Sequence, residues 1–195
     1  GNLGFFPKSK LMSHCIDGSI FSGHVSSKVP GVEFSTGSLG QGLPVSAGMA
    51  LGAKISNKEN QKFIVLLSDG ELGEGSNWEA ILFAAHHKLD NLTIIIDRNK
   101  LQSMTTTENT LKLEPLNQKF EAFGLDVIEI DGHSHDDIYD SVNKAVTVDV
   151  PRIIIAHTTK GKGVSFMENS VDWHYKTPKD GFYQQALAEL GGSIK

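Results

Sequence analysis

Two apolar runs that end in polar residues thirty positions apart constrain this chain more than any other feature. The first, FIVLLS, leads into Asp69 and Gly70; the second, LTIIID, leads into Arg98 and Asn99. Runs of this kind form buried parallel strands. Between them, Trp78, Ile81, Leu82, Ala85 and Leu89 recur at the spacing of one helical face. Strand, helix and strand make one βαβ unit of about 30 residues. Ser76 or Asn77 is placed to cap the helix.

Ligands of open α/β sheets sit outside the carboxyl ends of the strands. Asp69 and Asn99 therefore project toward one crevice. A carboxylate and an amide carbonyl there suit a hard cation such as Mg²⁺, which takes oxygen ligands and commonly binds substrate phosphates. The glycine-rich turn of Gly70, Gly73 and Gly75 lets backbone N–H groups approach an anion, and the following helix N-terminus favours phosphate. Taken singly, Asp69 is also compatible with a turn residue and Asn99 with a left-handed loop residue.

The remaining pattern predicts a short helix near 7–15 and a helix over 40–55. It then predicts a strand over 62–68, a helix over 77–89 and a strand over 92–97. A polar loop, QSMTTTENTLKLEP, follows at the site rim. A helix over 115–123 ends at Gly124, a strand covers 125–130, and Ser134 opens a helix over 135–147. A strand over 152–157 and a helix over 179–190, ended by Gly191 and Gly192, complete the chain. Alternating strands and helices predict an α/β, doubly wound, mainly parallel sheet with helices on both faces. The length of 195 residues predicts one domain.

SDG followed by Asn99 resembles the thiamine-diphosphate signature, and the likeness extends further. GSLGQGLPVSAGMALGAK (37–54), DGELGEGSNWEAILFAAHHKLDNL (69–92), FEAFGLDVIEIDGH (120–133) and TTKGKGVSFMENSVDWH (158–174) resemble transketolase, in transketolase order. The resemblance covers about 24–174. It implies the diphosphate-binding domain of the thiamine-diphosphate fold, with thiamine diphosphate and Mg²⁺ as cofactors and Ca²⁺ or Mn²⁺ as substitutes. The backbone carbonyl of Leu101 becomes a third protein ligand beside Asp69 and Asn99. Gly70 meets the diphosphate through its N–H, and Gly37 and Leu39 border the aminopyrimidine ring. Lys160 lies near the diphosphate. Glu71 is either a solvated loop acid or a group behind the cofactor contacts, and is counted with the cofactor-binding set. His24 and His174 match active-site histidines, His174 also counting as a cofactor contact. Glu74 matches an acid at the interface between paired active sites.

Three positions depart from the family pattern. Ser68 stands where Gly is usual, GHV replaces GHP after His24, and Tyr175 replaces Gly after His174. No segment resembles the pyrimidine-binding domain, which carries the glutamate that activates the cofactor. The resemblance thus implies half of a split transketolase, beginning inside the family's first domain. Its expected partner is a pyrimidine-binding subunit, in a heterotetramer or larger symmetric assembly, acting on sugars or sugar phosphates.

A net charge of −5 without a basic block argues against nucleic acid. No apolar stretch reaches the roughly 18–20 residues of a membrane span. The single Cys15 excludes an internal disulfide and fits a reducing cytoplasm. His86, His87, His133, His135 and His157 are read as surface or packing residues. Competing functions are 1-deoxyxylulose-phosphate-type synthesis, 2-oxo acid dehydrogenation, and a non-catalytic subunit that kept the fold. A nicotinamide-binding fold would need G-x-G-x-x-G after the first strand, and that spacing is absent.

Overall fold

The computed structural model describes residues 1–58, 60–144 and 149–191. Four parallel strands, β1 (Phe63–Ser68), β2 (Leu92–Arg98), β3 (Asp126–Asp131) and β4 (Arg152–His157), form one sheet in the order β1-β2-β4-β3. The helices are α1 (Gly42–Ile55), α2 (Gly75–His86), α3 (Thr107–Thr110), α4 (Leu116–Ala122), α5 (His135–Asn143) and α6 (Asp180–Glu189). Short 3₁₀ turns occupy Lys8–Ser13, Gly70–Gly73 and Val171–His174. No helix among the described residues is long and apolar enough to cross a membrane.

The strand order explains the layering. The chain moves outward from β1 through β2 to β3, then steps back to insert β4. Right-handed crossovers put outward and returning connections on opposite faces. Accordingly, residues of α1, α2 and α4 pack on Val65, Leu67, Leu92, Ile94, Ile96, Ile153 and Ile155 in one core. Helix α5 packs on β3. The expected doubly wound, mainly parallel sheet is what forms.

The strands are less uniformly buried than their apolar runs suggest. β4 is buried from Arg152 to Ala156, but β1 and β2 alternate. Helices line the whole of one face, whereas α5 covers only the β3–β4 side of the other. Ile64 and Leu66 on β1 are left exposed.

Several helix limits differ from expectation for physical reasons. α2 starts at Gly75 and buries Asn77, Ala80, Ile81 and Ala84, leaving Leu82 exposed. The apolar stripe is thus turned toward small residues, which let α2 lie close to α1 and the sheet. Leu89 is buried in the turn after the helix rather than on its face. Neither Ser76 nor Asn77 caps α2, because both side chains bond to the neighbouring glycine and acid loops. The polar stretch 102–115 holds a helical turn, α3, capped by the Thr106 side chain accepting from Asn109 N–H. Ser134 caps α5 as expected, accepting from Asp137 N–H at 3.2 Å, and Gly124 takes a left-handed φ of +83° after α4. α5 ends at Asn143; positions 145–147 of the expected helix, and Gly192, lie outside the described residues.

The core between α2 and α4 is aromatic. Trp78 stacks on Phe120 with ring centroids 5.6 Å apart, and Phe120 is fully buried. Phe120→Ala leaves a cavity under Trp78 and is expected to destabilise the fold by about 3–5 kcal/mol, as read by denaturant unfolding.

Candidate active site

All four strands end at the same edge of the sheet. Ser68 pairs with Asp97, Arg98 with His157, and Asp131 with His157. The loops that follow carry nearly every polar residue singled out above.

Asp69 sits at the centre, fully buried. Its Oδ2 accepts from Lys100 N–H at 2.5 Å and from Arg98 Nη1 at 3.0 Å. Its Oδ1 is buried without a partner. Burial pushes the Asp69 carboxyl up from the ordinary value, and the Lys100 N–H and the Arg98 guanidinium pull it back toward the ionised form. A buried carboxylate oxygen with no donor carries a desolvation penalty unless something satisfies it.

Asn99 is adjacent, as expected. Its Nδ2 donates to Asp97 Oδ1 at 3.3 Å and its Oδ1 accepts from Leu101 N–H at 3.0 Å. Lys100, between them, takes a left-handed φ of +68°, which turns the chain back over Asp69. Leu101 bridges to Thr106, closing the loop, and the side chain of Gln102 reaches Gly70: an added Cβ there would stand 3.0 Å from Gln102 Cβ. Asp69, Gly70, Asn99 and Leu101 therefore form one cluster. Among the described residues no three His, Cys, Asp or Glu side chains converge as a metal group. A cation at Asp69 would draw its other ligands from amide, carbonyl or ligand oxygens, the donor set that Mg²⁺ accepts.

The first glycine block is fastened to this cluster from the β1 side. Glu71 Oε1 accepts from Gly40 N–H at 2.8 Å, its other oxygen from Ser68 N–H, and Ser76 Oγ donates to Gly40 carbonyl at 2.7 Å. Gly40 has φ +81°, and a Cβ there would fall 2.5 Å from Ser76 Oγ, so only glycine fits. Glu71 is thus a half-buried brace rather than a solvated loop acid. Ser68 also does more than replace a glycine: its Oγ accepts from Glu71 N–H. The Gly70–Gly73 turn uses several N–H groups internally, on Leu72 and Glu74 as well as Glu71, which narrows the expected anion cradle. His24 packs on the same block. A Cβ on Gly37 would lie 3.0 Å from His24 Cγ, and His24 and Leu39 are both exposed.

Lys160 and His174 approach from the β4 side. Thr158 Oγ1 donates to Asp97 Oδ1, the oxygen that also accepts from Asn99, so the 158–160 loop joins the Asn99 loop. His133 Nε2 accepts from Thr159 N–H at 2.7 Å, a structural task for a residue expected to be bland. Partial burial and the nearby Lys160 charge hold the His174 imidazole below its ordinary value. The ring is neutral at pH 7 and can accept or donate. Tyr175 stacks edge-on against His174 and is exposed. Glu74 is exposed at the start of α2 and turns away from the cluster of carboxylate and amide groups.

Sequence reasoning missed Arg98, Ser76 and Gln102. Arg98 follows an apolar run and carries no motif; its only signal is a charged residue inside a strand that is buried on both sides.

Similarity to known proteins agrees with this geometry. The transketolase thiamine diphosphate binding domain matches residues 9–191. One of the two apulose-4-phosphate transketolase subunits of Actinobacillus succinogenes is 47% identical over 188 residues, covering 96% of this chain and 68% of that protein. A 6-deoxy-6-sulfo-D-fructose transketolase subunit from a Clostridium species is 36% identical, with 96% and 68% covered. The crystal structure of transketolase from Campylobacter jejuni superposes with a TM-score of 0.87 at 31% identity, covering 94% of this chain and 30% of that one. The chain thus spans about two thirds of the length of those subunits and under a third of that transketolase. With the parallel sheet, the Asp69–Asn99 cluster and the glycine block in their places, the chain belongs to the transketolase thiamine-diphosphate-binding domain family.

Proposed function

We propose that this chain is the diphosphate-binding half of a two-subunit cytoplasmic ketol transferase. It moves a two-carbon glycolaldehyde unit from a ketose donor to an aldose acceptor, with sugar phosphates as the expected substrates. The observation that carries the reading is Asp69 Oδ1, buried and unpartnered beside Asn99 and Leu101 at the carboxyl edge of the sheet. A hard cation bridging to a diphosphate would satisfy it. Mg²⁺ fits the donor set of Asp69, Asn99 and the Leu101 carbonyl, and Ca²⁺ and Mn²⁺ would substitute.

When bound, thiamine diphosphate supplies an electron sink that lets the bond beside a ketone break. The residues of this chain do the holding and the proton work. Gly70 and Lys160 flank the diphosphate. Gly37 and Leu39, braced through Gly40 and Glu71, border the pyrimidine. His24 and His174 stand on the β1 and β4 sides of the cluster, suited to donate to or accept from sugar oxygens. Tyr175 beside His174 narrows the sugar channel and bears on which sugar is accepted. Glu74, exposed at the start of α2, is placed for the contact between paired active sites.

A pyrimidine-binding partner supplies the activating glutamate, in a symmetric assembly with at least two copies of each subunit. The naming of relatives as transketolase subunits supports this division.

Three outcomes test the reading. Asp69→Ala removes the only carboxylate of the cluster, so calorimetry on the assembled complex should find Mg²⁺-dependent thiamine-diphosphate binding abolished; unchanged affinity would sink the cation site. The purified chain should show no ketol transfer alone and gain it with the pyrimidine-binding subunit, while light scattering reports a symmetric assembly. Turnover by the chain alone would disprove the split. His24→Ala and His174→Ala should each lower kcat/KM by about 10²–10⁴ while thiamine-diphosphate affinity stays within a few-fold. A folded variant that lost the cofactor, or kept full activity, would overturn that role.

A further inference from the structure

Arg98 is the largest buried polar group that the proposed chemistry leaves unused. Its side chain is 1% exposed, at the end of β2 next to Asn99. All five of its N–H donors are engaged. Nη1 donates to Asp69 Oδ2 at 3.0 Å and to Thr107 Oγ1 at 2.7 Å. Nη2 donates to Glu108 Oε1 at 3.2 Å and to Glu114 Oε1 at 2.7 Å, and Nε also reaches Glu114 Oε1 at 3.2 Å. The rigid planar fork of arginine makes such a set possible, and a lysine with three donors on a flexible stem cannot reproduce it.

The charge arrangement is informative. An arginine paired with Asp69 alone would neutralise that carboxylate and repel a divalent cation. Here the guanidinium also serves Glu108 and Glu114, which are partly exposed. Three carboxylates share one positive charge, so the group keeps a net negative field around Asp69. At the same time Asp69 cannot rotate: Arg98 and Lys100 N–H both hold Oδ2, leaving Oδ1 bare. The far side of the fork fastens α3 and the segment leading into α4, which carries the loop over the site.

We infer that Arg98 is a positioning residue for the cation site: it pins one oxygen of Asp69, presents the other, and ties that carboxylate to the 106–116 loop through Thr107, Glu108 and Glu114. The inference rests on the proposal that Asp69 ligates the cation. Groups that orient a ligand in this way commonly set metal affinity by about 10- to 100-fold.

Mn²⁺ titration of the full-length protein, with thiamine diphosphate present and read by electron paramagnetic resonance, tests this without turnover. Arg98→Met should weaken Mn²⁺ binding by about 10- to 100-fold and change the bound spectrum, because a freed Asp69 no longer offers one fixed oxygen. Arg98→Lys should restore only part of the affinity. A purely structural arginine would lower the melting temperature yet leave the affinity and spectrum of the folded protein unchanged, and that result in either variant overturns the inference. Should Arg98→Met fail to fold, the double variant Glu108→Gln, Glu114→Gln decides. It removes the outer carboxylates at exposed positions, so Arg98 is left to neutralise Asp69, and Mn²⁺ affinity should fall several-fold; wild-type affinity there overturns the inference. Asp69→Ala separates the two levels. Wild-type Mn²⁺ binding by Asp69→Ala would bring down the cation reading and the inference with it, whereas loss in Asp69→Ala with full binding in Arg98→Met brings down the inference alone.

Discussion

A carboxylate with no exposed surface is an expensive object, and the carboxyl edge of this sheet is organised around one. Burial alone would drive Asp69 toward its neutral form. Two donors oppose that, the Lys100 N–H and the Arg98 guanidinium, and both act on the same oxygen. The asymmetry leaves one face of the carboxylate satisfied and the other open. Much else can be traced to keeping that arrangement in place: the left-handed Lys100 that aims its N–H, the helical turn that brings Thr107 and Glu108 under Arg98, and Glu114 at the approach to α4. In return, the Arg98 hydrogen bond holds the Glu114 carboxyl below its ordinary value.

The neighbouring loops are joined to this centre by side chains more than by backbone. On one flank Glu71 and Ser76 grip Gly40; on the other Asp97 receives both Asn99 and Thr158. Each bond crosses from one strand end to the next. The site therefore inherits its rigidity from the parallel register of the sheet, while the histidines at its margins, His24 and His174, stay accessible. That division suits a site that must grip a charged cofactor firmly and admit sugars from solvent.

Much of this was legible in the residues. The apolar runs, the helical spacing between them, and the carboxyl-edge rule were enough to bring Asp69 and Asn99 together, since parallel strands leave little choice about where their ends lie. The motif resemblance added Gly37, His24, Lys160 and His174 around them. What escaped were relationships that depend on side-chain reach. Leu82 fits an apolar stripe by spacing, yet small residues let the opposite rotation of α2 pack closer. Ser76 and Asn77 look like caps, but the turn before α2 brings Gly40 and the Glu71 carbonyl within their reach. Ser68 looked like a harmless replacement, and it receives the Glu71 N–H. Arg98 gave no local signal because its partners lie up to sixteen residues ahead and twenty-nine behind.

The brace through Glu71 has a bearing on how members of this family can be recombined. Its carboxylate is shared between the strand end at Ser68 and the glycine block at Gly40, and its own N–H is held by the Ser68 hydroxyl. The glycine block and the SDGE turn are therefore not separate modules, although 31 residues lie between Gly40 and Glu71. A chimera that imports one from a relative while keeping the other would join two halves of a single hydrogen-bonded joint that were selected apart. The natural unit of exchange runs from Gly37 to Asn77, with α1 and β1 carried along inside it.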